Sequence, residues 1–392
     1  MDMKKRDFLT GSAGAVLGAS MMTDGARAQP LARGQLTNRD MLTTMLDSPN
    51  RFGEGSKTGG FRSYAGTGKQ TSMVDRSYKP RRINKAIELW EDNQTVFYAE
   101  YGPTGVADGY AYGKLMAKTW ADAINYEMEH AAFDFSQLRS FMQGLVDGGP
   151  TPSGHRTPMV FVTLPIGGYS EASMEANSWA ILQTLSAGAH GVSVCHMRTP
   201  GAAEFMVSAS RYPFDYPDAP PHGREGLRGV GSQGYASHIW GISPNRYFEV
   251  ADTWPHNPRG EISCGVKIED RHALANAEAI LAVKGIAFAE GGSGDMGMSI
   301  AGLDLMREMP QAERDRLQNA DARLTAAQVR VQEACRRNGV RWLGTGIPPM
   351  IGSPRPSDLP KQVLGGMHMY PAVFSEEETL AARQAQGRRM PI

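Results

Sequence analysis

From about residue 94 onward, short apolar stretches alternate with longer segments that carry a helical period. TVFYAEY, AINYEMEH, MVFVTLP, GVSVCHM, ISCGVKIE, IAFAEGG, VRWLGTG and VLGGMHM each read as a strand. Between them, DFSQLRSFMQGLV repeats apolar residues at Phe135, Leu138, Phe141 or Met142, and Leu145. RLQNADARLTAAQVRVQEACRR does the same at Leu317, Leu324, Ala327, Val331 and Cys335, with charge on the opposite face. HALANAEAILAVKG predicts a helix ending at Gly285, a residue suited to a C-cap. Eight strand and helix alternations in one run predict an α/β fold with a parallel sheet, best closed as a (β/α)8 TIM barrel. The alternative is an open doubly wound sheet. No G-x-G-x-x-G follows the first strand and no Walker loop occurs, so the phosphate cradles usual in open sheets are missing.

The pattern is different before residue 91. Residues 29–90 are rich in Gly, Ser, Thr, Arg and Lys with little periodicity, as in GEGSKTGGFRSYAGTGKQ, and predict an irregular arm that wraps the body or a neighbouring subunit. Residues 1–28 place Lys4, Lys5 and Arg6 before a weakly apolar Ala/Gly run and then Ala26-Arg27-Ala28. That order predicts an export signal, and KRDFL resembles the twin-arginine motif with its first arginine replaced by lysine. The expected organisation is a signal peptide over 1–28, an arm over 29–90 and a barrel over 91–392. Export would place the protein in the periplasm; a leader that does not function would leave it in the cytoplasm.

Composition narrows the partners. The 41 basic and 41 acidic residues give a formal net charge of zero, which argues against a nucleic-acid footprint or a membrane-surface role. Partners are then expected to be small molecules or further copies of the chain. No stretch beyond the leader approaches the length of a membrane span. Cys195, Cys264 and Cys335 lie far apart with no CxxC spacing, so each is expected to act as a small buried hydrophobe.

Barrel closure would gather the C-terminal strand ends on one face, where barrel enzymes carry their sites. YEMEH ends the second strand, KIED the fifth, and GGSGD follows the sixth. In YEMEH a strand would set Tyr126, Met128 and His130 on one face and Glu127 and Glu129 on the other, either as a solvated edge or as part of a reaction centre. Glu269 and Asp295 would project from neighbouring strands into the same mouth. Two carboxylates so close repel unless a cation lies between them, and a hard divalent ion completed by water is the usual answer. Gly292, Ser293 and Gly294 would offer uncrowded backbone amides beside Asp295, suited to a substrate carboxylate.

These motifs carry a resemblance. From about residue 94 to 373 the chain resembles the HpcH/HpaI aldolase family, metal-dependent pyruvate aldolases related to citrate lyase β subunits. Glu127-Met128-Glu129-His130 and the following FDFSQLRS are similar to the family's Asp-x-Glu-His run, VKIEDRHALANAEAILAVKGI to its metal-binding fifth strand, and Gly292 to Gly297 to the loop after its sixth. SASRYP and GLRGVG are similar to its Arg-Tyr-Pro and Arg-Gly-Val-Gly stretch. The resemblance implies a retro-aldol carbon–carbon lyase with Glu269 and Asp295 holding Mg2+, Mn2+ or Co2+, an enolisable oxo acid as ligand, and a homo-oligomer. It also implies His130 and Glu127 as the groups that move protons. Breaking a carbon–carbon bond beside a carbinol needs a base for the hydroxyl proton and a sink for the carbanion, and histidine titrates in the useful range.

The chain departs from the family at three positions. Glu127 stands where aspartate is usual. Thr163 replaces the third-strand arginine thought to steady the substrate, offering only a neutral hydrogen bond. Lys267 stands where a neutral polar residue is typical, either as an electrostatic substitute for that arginine or as a Schiff-base amine. The missing arginine motivates a second reading, a lyase for a non-pyruvate, aromatic hydroxy-aldehyde substrate. A third is a non-catalytic oxo-acid binding protein of the periplasm. His196 and Arg198 after GVSVC are substrate-binding candidates set against simple exposure. Tyr212, Tyr216, Trp240 and Trp254 in the stretch before the fifth strand either pack that insertion or line the mouth.

Overall fold

The computed structural model describes residues 77–101, 108–119, 121–303, 308–310, 312–313, 317, 321–344, 367–371, 383–384 and 387–391. The leader and residues 29–76 of the predicted arm lie outside the described residues.

Eight strands follow the sequence pattern: β1 Val96–Tyr101, β2 Ala123–Glu127, β3 Met159–Gly167, β4 Gly191–Cys195, β5 Ser263–Lys267, β6 Ile286–Glu290, β7 Arg341–Leu343 and β8 Met367–Pro371. Each pairs in parallel with the next, and β8 pairs with β1 through Val96 to Met369 and Phe97 to Tyr370, so the sheet curls and closes. A parallel neighbour requires a crossover, and the described crossovers are helices. After β1 comes α2 (Gly109–Met116), after β2 α3 (Phe135–Gly148), after β3 α4 (Glu171–Ser186), and after β4 α5 (Pro200–Ala209), α6 (Gln233–Trp240) and α7 (Pro244–Val250). Helices α8 (Arg271–Ala275) and α9 (Ala277–Leu281) follow β5, and α10 (Ser293–Ala301) and α11 (Ala322–Asn338) follow β6.

Helix α3 shows how the pattern becomes structure. The Asp134 side chain caps it by accepting from the Ser136 and Gln137 amides, and Leu138, Phe141, Met142 and Leu145 bury the face that the spacing marked. In α11, Leu324, Ala327, Val331 and Cys335 are buried as expected, but the helix starts at Ala322 because Asp321 caps the Arg323 amide; Leu317 lies before it and is exposed. The single helix expected over 272–285 is two short ones. Asn276 interrupts it, its Nδ2 donating to the Arg198 carbonyl, and Gly285, at φ +98°, turns the chain into β6 several residues after α9 has ended.

The last part of the stretch expected to be irregular is also helical: α1, Lys85–Glu91, begins on an Asn84 cap. Asn84 Nδ2 also donates to the Glu261 carbonyl and Ser263 Oγ at the start of β5, so α1 is tied under the barrel. Trp90 of α1 stacks on Trp254 at 5.7 Å and meets Phe288 of β6, which closes the core with Phe161 and Tyr98 from the strands. Beside them Asp122, just before β2, receives Lys85 Nζ at 3.1 Å, Arg383 Nη2 at 3.0 Å and Arg388 Nη1 at 3.1 Å, all four side chains buried. A buried carboxylate needs such compensation. Helix α1 and the C-terminal residues thus plug the end of the barrel where strands begin. The opposite end, where strands finish, is left for function.

Tyr212, Trp240 and Trp254 are buried, so those three side chains pack the body rather than the mouth. Tyr216 donates its hydroxyl to the Phe248 carbonyl and lines, with Phe214 and Phe248, a 480 Å³ cavity within the insertion. The three cysteines are buried and unpaired. Among the described residues no helix is long and apolar enough to cross a membrane.

Candidate metal centre

Glu269 sits just past β5 and is 1% exposed; its Oε1 accepts the His196 backbone N–H at 2.9 Å. Gly292, after β6, presses against it: a Cβ there would lie 2.4 Å from Glu269 Oε2. The glycine is required by that close approach. Gly292 also precedes α10, so the segment read as a loop is a helix N-terminus, with Asp295 in its first turn. A Cβ added at Gly294 would meet nothing within 4 Å. The Ser293 side chain lies outside the described residues.

Four side chains converge here. Glu129, His196, Glu269 and Asp295 each offer a ligand atom, and those atoms all lie within 4.8 Å of one another. The sequence had marked Glu269 and Asp295. Glu129 stood in the YEMEH cluster without a role, and His196 was weighed for substrate. His196 is a non-glycine residue in the left-handed region, φ +48°, a conformation sustained only where the surroundings impose it. Its Nδ1 lies 3.1 Å from Asp270 Oδ2, the arrangement by which a carboxylate orients a ligating imidazole.

The electrostatics suit a cation. Burial first, and then Glu290 and Glu129, push Glu269 up to about 8 against the opposing pull of Lys267. Glu290 at the end of β6 is also raised, by burial and by Glu129, Glu127 and Asp295. Lys267 Nζ donates to Glu129 Oε2 at 2.6 Å and lies 3.9 Å from Glu290 Oε2. Burial pulls Lys267 down, but the surrounding carboxylates, Glu290 first, outweigh it and hold the ammonium above the ordinary lysine range. Five carboxylates, counting Glu127, thus share the neighbourhood of this ammonium, and a divalent ion fits the imbalance. Glu290 was absent from the sequence reading because its setting comes from Lys267 and from carboxylates on other segments.

The remaining expected residues occupy distinct places. Glu127 is buried, and its Oε1 accepts the backbone amides of Glu129 and His130, so it shapes the turn that presents both. Burial raises its pKa, against Lys267 and the His130 amide. His130 is largely exposed, its Nδ1 3.8 Å from both Glu127 Oε1 and Glu129 Oε2. Thr163 is buried and donates its hydroxyl to Asn125 Oδ1 at 2.8 Å, leaving it only acceptor capacity toward any other group.

No family model matches the chain. It is 30% identical over 185 residues to a 2-keto-3-deoxy-L-rhamnonate aldolase of Klebsiella pneumoniae, covering 45% of this chain and 62% of that one. It is 25% identical over 207 residues to a hydroxypyruvate/pyruvate aldolase of Roseobacter denitrificans, covering 53% and 66% respectively. The chain thus spans less than two thirds of the length of these curated relatives. A solved HpcH/HpaI aldolase/citrate lyase family protein from Burkholderia cenocepacia shares the fold, with a TM-score of 0.52 at 19% identity over 77% of this chain and 97% of that one. The likeness to this structure shows a shared fold.

Proposed function

We propose that this barrel is a divalent-metal-dependent carbon–carbon lyase of the retro-aldol type, acting on a hydroxy-oxo acid. The observation that carries the proposal is the convergence of Glu129, His196, Glu269 and Asp295 at the strand C-terminal ends, in surroundings with more carboxylates than cations. Glu269 and Asp295 would hold the ion, with Glu129 and His196 in reach to complete its protein donors. An ion bound there supplies Lewis acidity to the carbonyl oxygen of the oxo acid. Mg2+, Mn2+ and Co2+ all suit a carboxylate-rich site, and a nitrogen donor shifts the preference toward the transition ions.

The chain's own residues supply the rest. His130, exposed at the mouth and flanked by two carboxylates, takes the proton of the substrate hydroxyl. Glu127 holds the His130 amide and stands next in the proton path. The Gly292 to Gly294 backbone at the start of α10 receives the substrate carboxylate, a task suited to the unpaired amides of a helix N-terminus. Thr163 and Lys267 border this space, Lys267 as a fixed positive charge paired with Glu129. Export to the periplasm through residues 1–28 and assembly into a homo-oligomer are part of the same proposal; they would be read from the mature N-terminus and from light scattering.

The test is a panel of 2-oxo acid aldols alongside aromatic hydroxy-aldehydes, with product release followed in the presence of Mg2+, Mn2+ or Co2+. Pyruvate release at ordinary turnover supports the proposal. Turnover confined to the aromatic hydroxy-aldehydes would move the assignment to the non-pyruvate reading, and absence of any metal-dependent ligand binding would refute both.

A further inference from the structure

The barrel mouth holds a second cation whose hydrogen-bonding capacity is not spent. Arg198, three residues past β4, donates Nε to Asp270 Oδ2 at 2.9 Å, the same oxygen that holds His196 Nδ1. Its guanidinium lies over the Tyr169 ring at 4.6 Å. Tyr169 in turn stacks on the His196 imidazole at 5.6 Å. Among the described residues, Nη1 and Nη2 make no hydrogen bond. The side chain is 34% exposed and Tyr169 48%, so a ligand can reach the free end.

This placement is built by the backbone. Gly168 donates its N–H to the Cys195 carbonyl and accepts the Arg198 N–H, which extends the β3–β4 pairing past the strands. A Cβ on Gly168 would lie 3.0 Å from the Met197 Cα and closer still to its sulfur. The PIGGYS segment therefore lets Tyr169 and Arg198 lie side by side beside His196. A guanidinium fixed at Nε and across its face has lost most of its rotational freedom already, and its two outer nitrogens form the planar fork that a carboxylate accepts in bidentate fashion. Lys267 does not offer such a fork, because its ammonium is a point charge already paired with Glu129.

Resting on the reading above, we propose that Arg198, positioned by Asp270 and Tyr169, is a specificity-determining residue that binds a second carboxylate, at the end of the substrate remote from the metal donors. The preferred ligands are then 2-oxo diacids and the aldols that release them, rather than oxo acids with a neutral tail.

The test uses the full chain with Mn2+ and measures binding by calorimetry, independent of turnover. Pyruvate, 2-oxoglutarate against 2-oxopentanoate, and 2-oxoadipate against 2-oxohexanoate are compared, each pair differing only in a terminal carboxylate or methyl group. The wild type is expected to favour the diacid of at least one pair by about tenfold or more. Arg198→Met should abolish that preference while pyruvate affinity stays within about twofold, and Arg198→Lys should restore only part of it. No diacid preference in the wild type, a preference that survives in Arg198→Met, or a pyruvate affinity that collapses with it would each overturn the assignment. Failure of the wild type to bind pyruvate with metal present would instead sink the metal-site reading on which it rests.

Discussion

Lys267 Nζ lies 2.6 Å from Glu129 Oε2, so the one unusual lysine of the fifth strand is bound to an acid two residues past the second. That pairing favours a fixed positive charge over a Schiff-base amine. Burial lowers its pKa, but Glu290 and the other carboxylates raise it further, so the amine stays protonated and non-nucleophilic across the neutral range. Borohydride treatment in the presence of pyruvate should therefore trap no covalent adduct, as read by intact mass. Lys267→Met would leave the partly buried Glu129 beside Glu290 without its partner and should lower stability in denaturant unfolding, a loss that added divalent metal should offset.

Gly292 is expected to be irreplaceable for metal affinity. In Gly292→Ala the new Cβ would meet the Glu269 carboxylate and displace it, at a position that precedes α10 rather than inside the helix. Calorimetric titration with Mn2+ should show affinity weakened about 10- to 100-fold, with a melting temperature close to that of the wild type.

Acid stability should depend on Glu88, far from the mouth. This carboxylate, buried in α1, accepts from the Arg81 and Arg82 amides, from Tyr78 Oη and from His155 Nε2. Burial alone would raise it, but those bonds outweigh burial and hold it at about 2, below its ordinary 4.5. A depressed carboxylate stabilises fully above 4.5 and loses that contribution as pH falls toward 2. The contribution is about 3 kcal/mol. Glu88→Gln should lose it at neutral pH and flatten the acid limb of the stability curve between those values.

Asp122 should be the most sensitive position under the barrel. Asp122→Asn strands Lys85, Arg383 and Arg388 as buried cations facing one another. The expected loss is about 3 to 5 kcal/mol, a fall in melting temperature on the order of 10 °C. Deleting residues 383–392 should destabilise the chain by a comparable amount, since it removes both arginines at once.

The eight strands were legible because their apolar runs are short, regularly spaced and separated by helical periods. The mouth was legible where one strand end carried its own signal, as in KIED and GGSGD. Glu129 was visible yet unassigned, since only the pairing of β2 with β3 and the reach of Lys267 decide which side of YEMEH enters the site. Asp270 and Glu290 could not be found in one dimension, because each acts through partners brought to it by neighbouring strands. The helix at Lys85–Glu91 was hidden for a related reason: its stability comes from Trp90 packing under the barrel and from the Asn84 cap, and neither is a periodic signal.

The central claim, a divalent ion held by Glu269 and Asp295 that promotes enolisation of an oxo acid, is tested most directly by proton exchange at the methyl group of pyruvate in deuterated water, followed by NMR. Exchange should require Mg2+, Mn2+ or Co2+, cease on chelation and return when the ion is restored. Glu269→Gln and Asp295→Asn should remain folded and lower the exchange rate by orders of magnitude at moderate metal concentration. Exchange that continues undiminished after exhaustive chelation would contradict the account.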